Sequence, residues 1–275
     1  MRAVMLDHVQ GRFDAGAGDW TRYNQEPLGR IRRELTWRNL APYLPAIRDG
    51  EDAPRALDAG GGSGEMALRL AAYGCRVWLL DYAPAMLEQA RQASLDVPED
   101  IRARLTLCQL SAGKVAEAFA PGTFDIVVCH TLIEYLPDPV QVVRGLAGLL
   151  RDNGLLSLSF VNRHSEVLRQ VWSRGDPAGA LASLEDGAFH AKLFDVPGRA
   201  YSAGEVSAWL PPLGLTIAAI RGVRIFADRV PPQHLTDPTF LEALLQLESA
   251  AAGLEPYCHI ARYVQLLAHK GTESQ

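Results

Sequence analysis

Short apolar runs alternate with helical patterns through the middle of the chain. The apolar runs are too short for buried helices and predict strands at residues 55–58, 76–80, 105–110, 124–130 and 155–160. Apolar residues at helical spacing between them predict helices at residues 65–73, 84–94 and 140–150. Strands joined through helices by short connections run parallel, so the pattern indicates an α/β fold with a mostly parallel, doubly wound sheet.

The N-terminal part of the chain precedes this alternation. Residues 1–27 show no clear hydrophobic period, and we interpret them as an arm or lid. A helical pattern follows at residues 28–43, and residues 49–54 form a polar linker into the first strand. We therefore divide the chain into a segment that covers the ligand edge of the sheet, residues 1–50, and a main domain, residues 51–275.

The later part of the chain contains an insertion and three further elements. Residues 161–200 break the alternation with two short helical pieces, which predicts a small helical lid above the sheet edge. A capping box at residues 202–205 begins a helix that ends near Leu210. The patterns beyond it predict a strand at 215–228 with a bulge at Gly222, a helix at 240–251 and a strand at 262–270.

A glycine-rich turn and an acid mark the candidate ligand site. Residues 58–64 read D-x-G-x-G-x-G between the first strand and its helix, and Asp81 ends the second strand. Glycines let a ligand approach the backbone, and an acid at this position accepts hydrogen bonds from ribose hydroxyls. The spacing differs from the G-x-G-x-x-G of NAD-binding folds and resembles motif I of the class I S-adenosylmethionine (SAM) methyltransferases. We therefore favour SAM over NAD and over a turn without a ligand.

The net charge, the cysteines and the apolar runs of the chain limit the kinds of protein that it can be. The net charge of −5 gives no overall attraction to polyanions, although a local basic patch remains compatible with it. The four cysteines lie far apart without a C-x-x-C pair, which indicates reduced thiols, a cytoplasmic protein and no zinc site. The N-terminus lacks a signal-peptide pattern, and no run approaches about 18 apolar residues, so we expect neither secretion nor a membrane span. We predict no metal ligands.

Longer segments resemble one family. LDAGGGSG, HTLIEYLPDP, NGLLSLSFVNRH, GVRIFAD, ALLQLES and EPYCHIARYV are similar to segments of the tRNA 5-carboxymethoxyuridine methyltransferases, which esterify a carboxymethoxy group on the wobble uridine of bacterial tRNA. The resemblance runs from about Leu28 to the C-terminus. It implies a Rossmann-like class I methyltransferase fold, in which a seven-stranded sheet is closed by a late antiparallel strand pair.

The resemblance also implies roles for single residues. Arg32 would contact the cofactor carboxylate, Asp81 the ribose, and His130 the sulfonium end of the pocket. Ser111 and Ala112 stand where many class I enzymes carry an acid for the adenine amino group, so a hydroxyl or backbone groups would replace it. The predicted SAM contacts are Arg32, Asp58, Ala59, Gly60, Gly61, Gly62, Asp81, Tyr82, Met86, Ser111, Ala112 and His130.

The acceptor is predicted from the chemistry of methyl transfer. A carboxylate acceptor is already ionised at neutral pH and needs a cation to orient it, and a guanidinium can hold it through two hydrogen bonds. We assign this role to Arg224, with Arg262 as the second candidate. If the acceptor is an amine or a hydroxyl, His130 or His164 would act as general base. The predicted acceptor contacts are Asn162, His164, Arg224, Tyr257 and Arg262, and the catalytic candidates are Arg224 and His130.

Three functions remain open at this point. The first is methylation of a carboxylate on tRNA, although the near-neutral insertion and the acidic chain depart from what RNA binding favours. The second is methylation of a small metabolite or natural-product precursor enclosed by the arm and the insertion. The third is a SAM-binding protein that transfers nothing.

Overall fold

The computed structural model describes residues 2–47 and 53–272. Its centre is a seven-stranded sheet with the order β3-β2-β1-β4-β5-β9-β8, in which β9 runs antiparallel to both of its neighbours and the other neighbouring pairs are parallel. The sheet strands are β1 (Arg55–Ala59), β2 (Arg76–Asp81), β3 (Leu105–Gln109), β4 (Phe124–His130), β5 (Leu150–Val161), β8 (Leu215–Val223) and β9 (Tyr263–Lys270). This arrangement confirms the predicted Rossmann-like fold.

Helices cover both faces of the sheet. The helices are α1 (Arg2–Gln25), α2 (Pro27–Leu40), α3 (Glu65–Tyr73), α4 (Pro84–Leu95), α5 (Glu99–Arg102), α6 (Val115–Ala118), α7 (Pro139–Leu149), α8 (Arg163–Arg174), α9 (Pro177–Asp186), α10 (Ala203–Trp209), α11 (Pro238–Ala251) and α12 (Tyr257–Ile260). Alternate residues of β4 point to opposite faces, because successive side chains of a strand alternate. Val127 and Cys129 pack with α7, whereas Ile126 and Val128 pack with α3.

The predicted βαβ unit is confirmed with small changes in its bounds. Helix α3 spans the predicted residues, and Gly74 ends it with φ 122°, donating its N–H to the carbonyls of Leu70 and Ala71. A positive φ at a helix end is inexpensive for glycine, which explains the sharp entry into β2. Strand β3 lies at the edge of the sheet and is only partly buried.

The N-terminal segment, for which the apolar pattern predicts no secondary-structure element, is a helix, α1. Phe13, Ala17 and Trp20 pack against Met86 of α4 and against Phe194, so tertiary contacts stabilise a helix whose own apolar pattern is weak. The expected linker at residues 49–54 lies mostly outside the described residues.

The insertion and the late strands also differ from the prediction. Besides α8 and α9, the insertion contains a two-stranded hairpin, β6 (Ala188–Ala191) and β7 (Val196–Arg199), that the sequence pattern did not reveal. Strand β8 ends at Val223, and its register shift lies between Ile217 and Ala219 instead of at Gly222. Gly222 is required for packing, because a Cβ there would lie 2.8 Å from the Cβ of Ala261.

Candidate active site

A cavity of about 1000 Å³ opens at the carboxyl ends of β1, β2 and β4. Its volume lies at the upper end of the range for ligand pockets, which leaves room for two ligands side by side. Helices α1 and α8 and the β6–β7 hairpin contribute to its wall. Among the described residues, ten arginine and lysine side chains line it, against four aspartate and glutamate side chains, so its lining is cationic although the chain is acidic.

The glycine turn forms one wall of this cavity. Gly60, Gly62 and Gly64 have φ values of 71°, 53° and 85°, a region that side chains with a Cβ rarely adopt. Gly60 and Gly61 donate their N–H groups to the Leu80 carbonyl at 2.7 and 3.1 Å, which fixes the turn against β2. The backbone of the turn therefore faces the cavity in a fixed conformation.

Asp81 stands beside the turn at the end of β2. Its two carboxylate oxygens accept one hydrogen bond each from the N–H groups of Gly62 and Ala83, both at 2.9 Å. A carboxylate oxygen has two lone pairs, so each oxygen can accept another donor. Burial raises the pKa of Asp81, while its backbone hydrogen bonds act in the opposite direction.

Asp58 lies beneath the turn at the end of β1. Its Oδ2 atom is buried and has no hydrogen-bond partner among the described residues. Burial raises the pKa of Asp58 to about 7, with the charges of Glu65 and Asp81 adding to the effect. A donor or a positive charge in the cavity would stabilise the ionised form.

Arg32 reaches the same region from α2. Its Nη2 atom donates to Asn24 Oδ1 at 2.8 Å, and its Cζ lies 4.6 Å from the Trp20 ring centroid. Its Nε is buried without a hydrogen-bond partner, and no carboxylate of the described residues forms a salt bridge with it. Arg32 is thus a positively charged donor on the cavity wall that forms no salt bridge among the described residues.

Four further predicted cofactor contacts line the cavity next to Asp81. Tyr82, Met86, Ser111 and Ala112 all contribute to the wall. The Ser111 hydroxyl accepts the N–H of Gly113 at 3.4 Å and caps a short 3₁₀ helix, which leaves its own O–H available as a donor. Ala59 is fully buried in β1 and does not line the cavity, so its predicted cofactor contact is not supported.

His130 lies at the end of β4 on the cavity wall. Its Nε2 is hydrogen-bonded to Ser157 Oγ at 2.8 Å, and Gln265 Nε2 donates to the same oxygen at 3.0 Å. Burial, together with the nearby charge of Arg32, lowers the pKa of His130 to about 3. The ring is therefore neutral at physiological pH and is a weak base.

Arg224 lines the cavity just after β8, in the left-handed region at φ 61°. Its Nε donates to Asp228 Oδ1 at 2.7 Å, its Nη2 donates to the same oxygen, and its Nη1 donates to the Tyr23 hydroxyl. Burial lowers the pKa of Arg224, but the charges of Tyr23 and Asp228 outweigh it and raise the pKa overall. Asp228 thus neutralises the arginine that the sequence suggested for the acceptor.

Arg262 occupies a different charge environment. Its Nη1 donates to Glu166 Oε2 at 2.8 Å, and the same fully buried carboxylate also lies 3.2 Å from Arg169 Nη1 and 3.5 Å from Arg174 Nη1. Three guanidinium groups share one carboxylate, so two positive charges remain in excess. All three arginines line the cavity.

Tyr263 was not identified from the sequence. Its ring lies between three guanidinium groups, with centroid distances of 5.4 Å to Arg262, 5.6 Å to Arg224 and 6.0 Å to Arg32. Burial raises the pKa of Tyr263, but the three arginines outweigh it and lower the pKa below its ordinary value. The sequence feature that could have identified Tyr263 is its position next to Arg262 in the EPYCHIARYV segment.

Three predicted acceptor contacts lie outside the cavity wall, namely Asn162, His164 and Tyr257. The Asn162 amide donates to the carbonyls of His259 and Ala261, both at 2.8 Å, and its Oδ1 caps α8. His164 is exposed beside the His259 carbonyl, and the Tyr257 ring contacts Phe226. Their predicted contact with the acceptor is not supported by these positions.

Comparisons with known proteins agree with this geometry. A family model described as a methyltransferase domain matches residues 57–156. The tRNA 5-carboxymethoxyuridine methyltransferase of Escherichia coli strain K12 is 30% identical over 243 residues, which are 88% of this chain and 89% of that enzyme. The chain belongs to the tRNA 5-carboxymethoxyuridine methyltransferase family.

More distant relatives share part of the chain or the fold. The ubiquinone biosynthesis O-methyltransferase of Xanthomonas euvesicatoria is 31% identical over 169 residues, 62% of this chain and 65% of that enzyme. A SAM-dependent methyltransferase from Thermotoga maritima has a TM-score of 0.63 at 15% identity, with 94% of this chain and 99% of that chain covered. This member of the tRNA 5-carboxymethoxyuridine methyltransferase family is therefore a SAM-dependent methyltransferase, and the prediction of a non-catalytic SAM-binding protein is set aside.

The cavity of this family member fits SAM. A Cβ at Gly60 would lie 2.9 Å from Leu132 Cδ2, and one at Gly61 would lie 2.8 Å from Asp58 Oδ2, so both positions require glycine. The unpartnered atoms of Asp58 and Arg32 match a ligand that carries both positive charge and a carboxylate. The described part of the chain contains no helix of the length and apolarity that crossing a membrane requires.

Proposed function

We propose that this enzyme transfers the methyl group of SAM to a carboxylate oxygen of a modified uridine in tRNA. One observation supports this acceptor chemistry above the others: Arg169, Arg174 and Arg262, which line the cavity, share the single buried carboxylate of Glu166. A partly buried cationic excess is costly unless an anion compensates it, so the site is complementary to an anionic acceptor. The similarity to the E. coli enzyme, over 88% of this chain and 89% of that enzyme, supports tRNA as the carrier of that acceptor.

The cofactor side is assigned from the wall described above. Asp81 would accept the ribose hydroxyls, and the Gly60–Gly62 backbone would approach the ligand closely. Arg32 would hold the carboxylate of the amino-acid tail, because its charge has no anion among the described residues. Ser111 and the backbone at Ala112 would meet the adenine.

The acceptor side is assigned by charge. Arg262, the second candidate from the sequence, replaces Arg224, because Asp228 already balances Arg224. The unused N–H donors of Arg262 would orient the acceptor carboxylate, and Tyr263 would donate its hydroxyl to it. Arg224 would then position Tyr23 and Tyr263 and would not contact the acceptor.

The proposed reaction needs positioning more than acid–base chemistry. When bound, SAM supplies an electrophilic methyl group on its sulfonium. Arg262 and Tyr263 would orient one carboxylate oxygen of the acceptor toward that methyl group. The new C–O bond would form as the C–S bond breaks, which would leave the neutral thioether S-adenosylhomocysteine, and no proton would be transferred. The neutral His130 is consistent with this, since a carboxylate acceptor requires no base.

Aromatic side chains that cover the cavity would exclude water from it. Phe13 of α1 lies 4.5 Å from the ring centroid of Phe194 and 5.3 Å from that of Tyr135. These rings join α1, the β6–β7 hairpin and the segment after β4 above the cofactor region. A dry site strengthens the electrostatic contacts to the acceptor and prevents hydrolysis.

The same cover favours one alternative, a small enclosed acceptor. Partial similarity to the ubiquinone biosynthesis O-methyltransferases supports it. The two functions are tested by incubating the purified protein with labelled SAM and either tRNA carrying 5-carboxymethoxyuridine or a small-molecule extract. We expect label in the tRNA, released by mild alkali because it is an ester. Label only in the small-molecule fraction would replace the proposed acceptor.

A further inference from the structure

An exposed aromatic side chain stands at the rim of the cavity. Trp172, on α8, lines the cavity but remains 60% exposed. Arg229, which also lines the cavity, places its Cζ 4.4 Å from the centroid of the indole ring. Trp172 is therefore a large apolar ring that the fold holds at the rim without burying it.

The position of Arg229 is set by two elements of the structure. It ends the 3₁₀ helix Ala227–Arg229, which follows the segment that carries Arg224. Its Nη1 lies 3.5 Å from Ser173 Oγ on α8. Contacts to both Trp172 and Ser173 connect the post-β8 segment to α8 and orient the guanidinium plane at the rim.

The surroundings of Trp172 are cationic. Arg169 and Arg174 lie on the same helix and line the same cavity, and in the described part of the chain both are ion-paired to the same carboxylate, that of Glu166. An exposed indole beside guanidinium groups binds flat, π-rich groups joined to anions, because such groups stack on the ring while the cations meet the charge. A nucleobase with its phosphate has this chemistry.

We propose that Trp172 and Arg229 form a stacking platform for a nucleobase that neighbours the acceptor nucleotide in the RNA. Arg174 would meet the phosphate that joins the two nucleotides. This inference rests on the proposed function, because it takes the acceptor to be part of an RNA strand. It adds a second contact, outside the acceptor pocket, that a free nucleoside would not make.

The first test measures binding without catalysis. The full-length enzyme is saturated with S-adenosylhomocysteine, and its affinity for a labelled, unmodified anticodon stem-loop is measured by fluorescence anisotropy. Trp172→Ala should weaken binding about 10- to 100-fold, as expected for loss of one stacked base. Trp172→Phe should restore binding to within a few-fold. Val171→Ala, an exposed neighbour on the same helix outside the cavity wall, should leave it unchanged.

The salt dependence of RNA affinity distinguishes the contribution of base stacking from that of the charged side chains. Arg174→Gln should reduce the dependence of affinity on salt, whereas Trp172→Ala should lower affinity and leave the slope unchanged, because stacking releases no counterions. Equal affinity of the Trp172→Ala variant and the parent enzyme would overturn the platform. So would equal losses in the Val171→Ala and Trp172→Ala variants.

The second test separates this inference from the proposed function. Methyl transfer is compared between a modified stem-loop and the free 5-carboxymethoxyuridine nucleoside. Trp172→Ala should raise KM for the stem-loop about 10- to 100-fold and leave kcat/KM for the nucleoside unchanged. Equal losses for both would place Trp172 in the acceptor pocket and overturn the platform. Transfer to neither by the parent enzyme, with stem-loop binding still dependent on Trp172, would overturn the proposed acceptor and support the platform.

Discussion

The assignment of Arg262 to the acceptor gives the sharpest prediction. In the Arg262→Lys variant the charge is retained and the planar fork is lost, so the acceptor carboxylate can no longer be held through two hydrogen bonds. We expect kcat/KM for the carboxylate acceptor to fall while the Kd for SAM changes less than two- to three-fold, because in the proposed site Arg32 and Asp81, and not Arg262, hold the cofactor.

The magnitude follows from the contacts of Arg262. A hydrogen bond to a charged group contributes about 1.5–3 kcal/mol, which corresponds to a loss of about 10- to 150-fold in kcat/KM. Stability should change little. Lysine can still approach Glu166, and Arg169 at 3.2 Å and Arg174 at 3.5 Å remain beside it. The loss in unfolding free energy should therefore stay well below the ~3–5 kcal/mol that follows when a buried charge loses its partner.

The assay combines steady-state methyl transfer, calorimetry with SAM and thermal unfolding. Arg163→Lys is a matched control, because Arg163 forms a largely buried ion pair with Glu205 at 2.7 Å and does not line the cavity. It should retain activity. A parallel loss of SAM affinity and turnover in Arg262→Lys would place this arginine on the cofactor side, and full activity would remove it from the site.

Three further predictions concern the cofactor side. Asp81→Asn should raise the Kd for SAM at least ten-fold in calorimetry, and unchanged affinity would remove Asp81 from the ribose position. It should also lower the unfolding temperature, because the amide nitrogen cannot accept the N–H of Gly62 or Ala83 as the carboxylate oxygen does. Asp58 has a folded-state pKa of about 7, above its ordinary value of 3.8. Between these two pH values the folded protein therefore holds a proton that the unfolded chain has released. Its contribution to stability is full below about pH 4 and is lost as the pH rises through 7. In thermal unfolding without ligand, the Asp58→Asn variant should therefore lose less stability between pH 5 and pH 8 than the parent, and identical slopes would contradict this. Because the pKa of His130 is about 3, kcat/KM should show no His130 titration between pH 6 and pH 8, and a step there that His130→Gln abolishes would show that the imidazole titrates during turnover.

Local sequence patterns were enough to predict the proposed cofactor site and the parallel strands and helices around it. The glycine turn, Asp81 and the parallel strands follow from residues close together in the chain, because backbone conformation and strand–helix alternation are local properties. That locality explains why α3, β2 and β4 lie where the apolar pattern predicted them. It also explains why Gly60 and Gly62 already indicated a ligand that approaches the backbone.

Only the tertiary structure shows how the arginine charges around the proposed acceptor side are balanced. Arg262 and Glu166 are 96 residues apart, and Arg224 and Tyr23 are 201 apart, so no spacing rule indicates which arginine is neutralised. The helical state of the N-terminus likewise depends on contacts with α4 and the hairpin. The net charge of a buried site depends on all the charged groups that the fold brings together, so it is set only in the folded protein.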